Sequence, residues 1–255
     1  MKHFRSTLYI LILLIVVIPY SVLAMATAIL PLHLRHNIIA RWPSFAAWLA
    51  RWVFGIRYEV RGRENIPAEP TVILSKHQSA WETLAFSSIF PPHVYVLKRE
   101  LLLLPFLGWG LAIMGCIAID RSNRKSAMAH VVTKGAERLQ QGISILIFPE
   151  GTRIPVGKRG IYRRGGAILA VNTGARVLPV AHNAGLVWPR NSFLKDAGLV
   201  TVVIGKPIET AGRSPDEVMR ETEEWIESQM QMLTPGPIVP VNRNSNAESL
   251  SQENT

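Results

Sequence analysis

The spacing of apolar and polar positions divides this chain into a long hydrophobic start, a patterned middle and a polar end. From Ser6 to Leu34 there is no Lys, Arg, Asp or Glu. About 20 apolar residues cross a hydrocarbon layer as a helix, so the run predicts a membrane-embedded helix or helical pair. Pro19 is expected to kink it and Pro31 to end it. A signal peptide is the competing reading, with Lys2 and Arg5 ahead of the apolar centre and Ala24-Met25-Ala26 as a cleavage site. The run continues through Ala28, Ile29 and Leu30, past a signal core, which favours a retained anchor. Arg35, Arg41 and Arg51 then interleave with Trp42, Trp48 and Trp52. That mixture suits a helix at a bilayer interface, or a surface helix docked on its own domain.

Beyond Phe54 the period changes. Strands are expected at 56–62, 71–75, 93–97, 143–148, 176–181 and 199–205, and helices at 80–89, 126–141, 165–172 and 215–232. Strands alternating with helices give an α/β fold with a mixed, partly parallel sheet flanked by helices. A second apolar run at 101–119 is broken by Pro105, Gly108, Gly110 and Gly115, so it reads as a buried loop and helix lining an apolar tunnel, with a membrane-dipping element as the alternative. The expected division is an anchor with an interfacial helix at 1–54, an α/β domain at 55–233, and a disordered Pro-, Asn- and Ser-rich tail at 234–255.

Charge and cysteine narrow the function. A net charge of +10 calls for an acidic partner: anionic lipid, a phosphorylated substrate or nucleic acid. The basic residues are spread over several segments beside apolar runs and form no familiar nucleic-acid motif, which argues against the last. The single cysteine, Cys116, excludes an intrachain disulfide and a Cys-based zinc site.

Four segments carry candidate chemistry. In "SKHQSAWET", Ser75–Thr83, His77 follows a short apolar strand and Glu82 lies five residues on. Five residues are about 140° around a helix, so the two meet only if His77 precedes the helix and Glu82 opens it. His77 then suits a general base, because an unperturbed imidazole titrates near 6.5 and a carboxylate on its far nitrogen fixes the tautomer. Ser79-Ala80-Trp81-Glu82 also matches a capping box, in which Glu82 serves only the helix start, and on this segment alone His77 equally reads as a satisfied surface histidine. In "GCIAIDRSNR", Gly115–Arg124, the guanidiniums of Arg121 and Arg124 suit phosphate, or form a solvated basic turn. In "FPEGTR", Phe148–Arg153, a buried strand delivers Glu150, Gly151, Thr152 and Arg153 to its carboxyl end, where α/β ligands bind. A plain Pro-Gly turn is the alternative there. "VLPVAHNAG", Val177–Gly185, is a strand interrupted by Pro179 and on its own indicates little. Lys98 with Arg99, and Arg163 with Arg164, add positive charge for phosphate or lipid head groups.

Taken in this order and spacing, the four segments resemble the glycerolipid acyltransferase family, bacterial lysophosphatidate acyltransferases in particular. Its blocks are His-x-x-x-x-Asp, Gly-(x)-Ile-(x)-Ile-Asp-Arg, Phe-Pro-Glu-Gly-Thr-Arg, and an apolar strand with a central proline. The third block matches residue for residue, and the likeness runs from His77 to about Gly185. In the first block Glu82 stands where the family has aspartate. The resemblance implies an α/β domain on a helical membrane anchor, His77 as base, and Glu82 as its partner. It implies that the lysolipid phosphate lies near Lys98, Arg121, Glu150, Gly151, Thr152 and Arg153. It further implies an acyl donor that is acyl-CoA or acyl-carrier protein, no cofactor or metal, and a place on the cytoplasmic side of a bacterial inner membrane. Rival readings are a different lysolipid acceptor such as a lyso-aminolipid, or a non-catalytic membrane adaptor; a hydrolase is disfavoured because no G-x-S-x-G elbow occurs.

Overall fold

A computed structural model describes residues 1–120 and 123–241. Helix α1 (Lys2–Ala26) passes through Pro19 without ending and closes in a 3-10 turn, Thr27–Ile29, ahead of Pro31. Two further helices, α2 (Leu32–Ile39) and α3 (Arg41–Phe54), complete the N-terminal segment, and Gly55 at φ +78° ends α3 in the left-handed conformation. The α/β part then runs β1 (Ile56–Arg61), β2 (Val72–Ser75), α4 (Trp81–Ile89), β3 (His93–Lys98), α5 (Leu107–Ile113), β4 (Ile117–Ile119), α6 (Arg124–Gln140), β5 (Ser144–Ile147), β6 (Lys158–Arg159), α7 (Gly165–Thr173), β7 (Val177–His182), β8 (Gly198–Ile204), α8 (Pro215–Leu233) and β9 (Val239–Pro240).

Seven strands form one sheet in the order β1-β8-β7-β2-β5-β3-β4. From β7 to β4 every neighbouring pair is parallel; β8 is antiparallel to β7, and β1 runs parallel to β8. The sheet is therefore mixed and mostly parallel. Both of its faces are covered, which explains the near-continuous apolar composition of β2 and β5. Ile73 and Leu146 point to a cluster that includes Ala50, Phe54 and Phe86 of α3 and α4. Val72, Leu74, Ile145 and Ile147 point to another that includes Val131, Leu169 and Ile226 of α6, α7 and α8.

Two expectations are corrected. The 101–119 run is not a buried tunnel lining: it folds as a 3-10 turn, helix α5 and strand β4, and leaves Leu101, Leu103, Leu104, Leu107 and Trp109 exposed. Helix α5 packs against α1, so these side chains continue the apolar surface of the N-terminal helix. Within the polar end, β9 pairs with β6 in parallel, while residues 242–255 of the expected tail lie outside the described residues.

Helix α1 is long and apolar enough to cross a membrane, yet both of its ends are tied to the domain. Lys2 Nζ is 2.6 Å from Asp196 Oδ1, and the Tyr9 hydroxyl donates to the Ala46 carbonyl at 3.0 Å. Tyr9 packs with Phe54 and Trp188, while Ser21 and Ala24 are buried near the other end. Between and around these points Leu11, Leu14, Ile15, Ile18 and Val22 remain exposed.

Candidate active site

Because β7, β2, β5, β3 and β4 are parallel neighbours, their carboxyl ends lie along one edge of the sheet. That edge receives the first segment after β2, the third after β5, Lys98 at the end of β3, and the fourth at the end of β7. Arg121, which would follow β4, lies outside the described residues.

His77 occupies the loop between β2 and α4, and Glu82 is the second residue of α4. Their contact is direct: His77 Nδ1 lies 2.9 Å from Glu82 Oε1. The same Oε1 accepts the amides of Gln78 at 2.8 Å and Ser79 at 2.7 Å. The Ser79 hydroxyl in turn accepts the Trp81 amide at 3.1 Å. Clamp and helix start thus share one carboxylate oxygen. Glu82 is fully buried; burial alone would raise its pKa, but His182, His77 and the Ser79 amide outweigh this and lower it. An ionised Oε1 is acceptor-only, so the His77 Nδ1 must donate, and the ring lone pair is assigned to Nε2. Phe148 fixes the ring plane by stacking on it, with centroids 3.9 Å apart and planes at 14°.

The backbone around His77 is equally constrained. Lys76 N donates to Val180 O at 3.0 Å, and Lys76 O accepts His182 Nε2–H at 2.8 Å. His77 N donates to Glu150 Oε2 at 3.0 Å, and His77 O accepts the Ile154 amide at 2.7 Å. The third and fourth segments therefore hold the loop of the first. His182 is fully buried, and burial holds its pKa below the usual histidine value despite Glu82, whose Oε1 is 3.9 Å from Nε2. A neutral ring donating to Lys76 O satisfies both observations.

Glu150 does not reach toward solvent as a phosphate contact would require. Its side chain is fully buried, Oε1 is 2.7 Å from Lys76 Nζ, and Gly160 N donates to it at 3.3 Å. Burial pushes its carboxyl up to about 7, with Lys76 and the His77 amide acting in the opposite sense. Gly151, Thr152 and Arg153 are partly exposed. Gly151 adopts φ +71°, with the Arg163 side chain lying over it, and the Arg153 carbonyl accepts Arg190 Nη1 at 3.1 Å. Lys98 Nζ is 3.6 Å from Glu100. Among the described residues no cluster of three or more His, Cys, Asp or Glu side chains is arranged to hold a metal. A surface cleft of about 580 Å³ lies elsewhere, between Arg51, Arg57, Tyr58, Val60, Arg63 and Leu199.

Sequence reasoning missed Lys76, Phe148, His182 and Glu227 as parts of this arrangement. The available signal was small: a lysine one serine beyond the apolar run "VIL", and a histidine closing the strand "VLPVA".

An imidazole whose one nitrogen donates to a buried carboxylate can take a proton at the other, so this arrangement at the carboxyl edge of an α/β sheet is chemically capable of proton transfer. A sequence profile of the family described as Acyltransferase matches residues 57–183. A 1-acyl-sn-glycerol-3-phosphate acyltransferase of Pseudomonas aeruginosa is 51% identical over 211 residues, covering 81% of this chain and 82% of that protein. One from Borreliella burgdorferi is 37% identical over 150 residues, 58% of each chain. The crystal structure of the 1-acyl-sn-glycerophosphate (LPA) acyltransferase PlsC from Thermotoga maritima superposes with a TM-score of 0.77 at 22% identity, covering 91% of this chain and 95% of that one; it shares the fold. The chain belongs to the acyltransferase family.

Proposed function

We propose that this chain transfers an acyl group from acyl-CoA or acyl-carrier protein to the sn-2 hydroxyl of lysophosphatidate, giving phosphatidate, with His77 as general base. The observation that carries the reading is the 2.9 Å contact of His77 Nδ1 with a Glu82 oxygen already pinned by two amides. Nε2 takes the hydroxyl proton as the oxygen attacks the thioester carbonyl. Ionised Glu82 stabilises the imidazolium as it forms, and the proton then passes to the departing sulfur. The cycle needs no acyl-enzyme. Arg153, Lys98 and Arg121 are assigned to the acceptor phosphate. Thr152 and the Gly151 backbone supply neutral donors, and Glu150 acts behind them rather than on the ligand.

Membrane association follows from α1 and from the exposed leucines beside α5. With both ends of α1 docked on the domain, the helix is assigned a position within one leaflet rather than across two. The α/β part then sits at the surface, where water-soluble thioesters and bilayer-borne lysolipid meet. The cytoplasmic face of a bacterial inner membrane meets that requirement.

The test is labelled acyl transfer in membranes carrying wild-type protein or His77→Ala. Phosphatidate formed by the wild type and lost in an equally abundant variant supports acceptor and base together. Equal rates would remove His77 from the mechanism. Parallel assays with lysolipids lacking a phosphomonoester test the acceptor; a preference for these would replace lysophosphatidate.

A further inference from the structure

Lys76 precedes His77, and its side chain turns into the protein rather than toward the site. The residue is fully buried. Its Nζ lies 2.7 Å from Glu150 Oε1, after β5, and 2.8 Å from Glu227 Oε1, on α8. The Tyr162 hydroxyl donates to that same Glu227 oxygen at 2.7 Å, and its ring centroid is 5.8 Å from Nζ. One cation thus ties together three segments separated by 74 and 151 residues.

Such a cluster is a poor way to gain stability. Desolvating each ion costs several kcal/mol, and replacing a buried ion pair by well-packed apolar residues is often neutral or stabilising. Two carboxylates around one ammonium make the balance worse, and Glu227 Oε2 is buried with no hydrogen-bond partner among the described residues. What the arrangement provides is geometry. Glu150 uses one oxygen for the Lys76 ammonium and the other for the His77 amide. The orientation of the carboxylate that holds the His77 peptide is therefore set by where the ammonium sits. The ammonium in turn is placed by Glu227, and so by the docking of α8.

We propose that Lys76 is a positioning residue for acyl transfer, acting through Glu150 on the peptide that carries His77 and making that position depend on α8. The proposal rests on the reading of His77 as the base. Without the ammonium the Glu150 carboxylate loses its main partner and its grip on the His77 amide changes. A displacement of about 1 Å at a catalytic group can cost about a hundredfold in rate.

The experiment uses the full chain in lipid vesicles and compares Lys76→Met, Lys76→Arg, His77→Ala and the Lys76→Met/His77→Ala double variant. A Lys76→Met/Glu227→Gln variant is added because it removes one carboxylate with the cation and keeps the pocket closer to neutral if Lys76→Met alone fails to fold. All are assayed on whichever lysolipid the wild type acylates, so an error in the acceptor leaves the comparison intact. The expected result is a fall in kcat of at least about tenfold in the folded Lys76→Met variants, with KM for the lysolipid unchanged and partial recovery in Lys76→Arg. In the His77→Ala background the loss of Lys76 should have no further effect, since groups acting as a unit are not additive. The proposal is overturned by wild-type kcat in a folded variant lacking the ammonium. It is equally overturned if the same fold-loss persists without His77, or if the effect falls on KM alone. A His77→Ala variant at the wild-type rate would overturn the reading of the base itself and this proposal with it.

Discussion

Glu82 Oε1 lies 2.9 Å from His77 Nδ1 while accepting the Ser79 amide, so the clamp on the ring and the start of helix α4 depend on one oxygen. The sequence offered these as alternatives, a capping glutamate or a partner for the histidine. Both contacts form on the same oxygen, although Ala80 rather than Ser79 is the N-cap of α4. Glu82→Gln keeps an oxygen for the three donors but removes the charge that stabilises an imidazolium, so kcat should fall about 10²–10³-fold with little change in thermal stability. Glu82→Ala should lose both activity and about 1–2 kcal/mol of stability. Steady-state kinetics beside thermal denaturation separates the two; a Glu82→Gln enzyme near wild-type rate would show that the charge is unused.

Gly151 adopts φ +71°, and a Cβ there would lie 3.4 Å from Arg163 Nε. The left-handed conformation costs an L-residue about 1–2 kcal/mol. Gly151→Ala should therefore lower the melting temperature by a few degrees and raise KM for the phosphate-bearing acceptor, because this turn carries the donors assigned to that phosphate. An unchanged KM would remove the turn from acceptor binding.

His93, fully buried beside His36, carries a pH dependence with a definite sign. Its ring Nε2 has no hydrogen-bond partner among the described residues, and burial followed by the neighbouring His36 lowers its pKa to about 4. The folded value lies below the unfolded value of about 6.5, so the folded state binds fewer protons. Stability from this site is complete above pH 6.5 or so and is lost as pH falls toward 4, in total about 3 kcal/mol. Urea denaturation midpoints measured across that interval should decline in the wild type and decline less in His93→Gln. Parallel slopes in the two proteins would contradict the assignment.

Ile15 on α1 is 68% exposed within an otherwise apolar surface. Placing a glutamate there should leave the α/β part folded, because Ile15 touches little of it, yet weaken vesicle binding. Burying one such side chain is worth about 1.5–3 kcal/mol, so partitioning should fall at least tenfold. Flotation with lipid vesicles measures this; unaltered binding by Ile15→Glu would mean that this face of α1 is not in the bilayer.

Much of the architecture was legible from local pattern. The strand after Ile143 and the helix from Pro215 appear within a residue or two of their expected limits, since an apolar run before a proline and a capped amphipathic repeat are both local signals. The buried reading of the 101–119 run failed because apolarity by itself does not distinguish a residue buried in protein from one on an exposed apolar surface. Strand β4 was hidden inside it, being only three residues long.

What the sequence by itself determined was the order of elements, the apolar helix ahead of them, and the candidacy of His77 and the "FPEGTR" segment. Each of these rests on residues adjacent along the chain or spaced by one structural period. What only the tertiary structure decided was which charges are withdrawn from solvent. Glu150 reads as a ligand contact, and Lys76 and Glu227 carry no assignment, until the parallel strands and α8 close around them. His182 likewise gains its place only because β7 pairs with β2. Burial depends on what remote segments cover, and no local pattern records that.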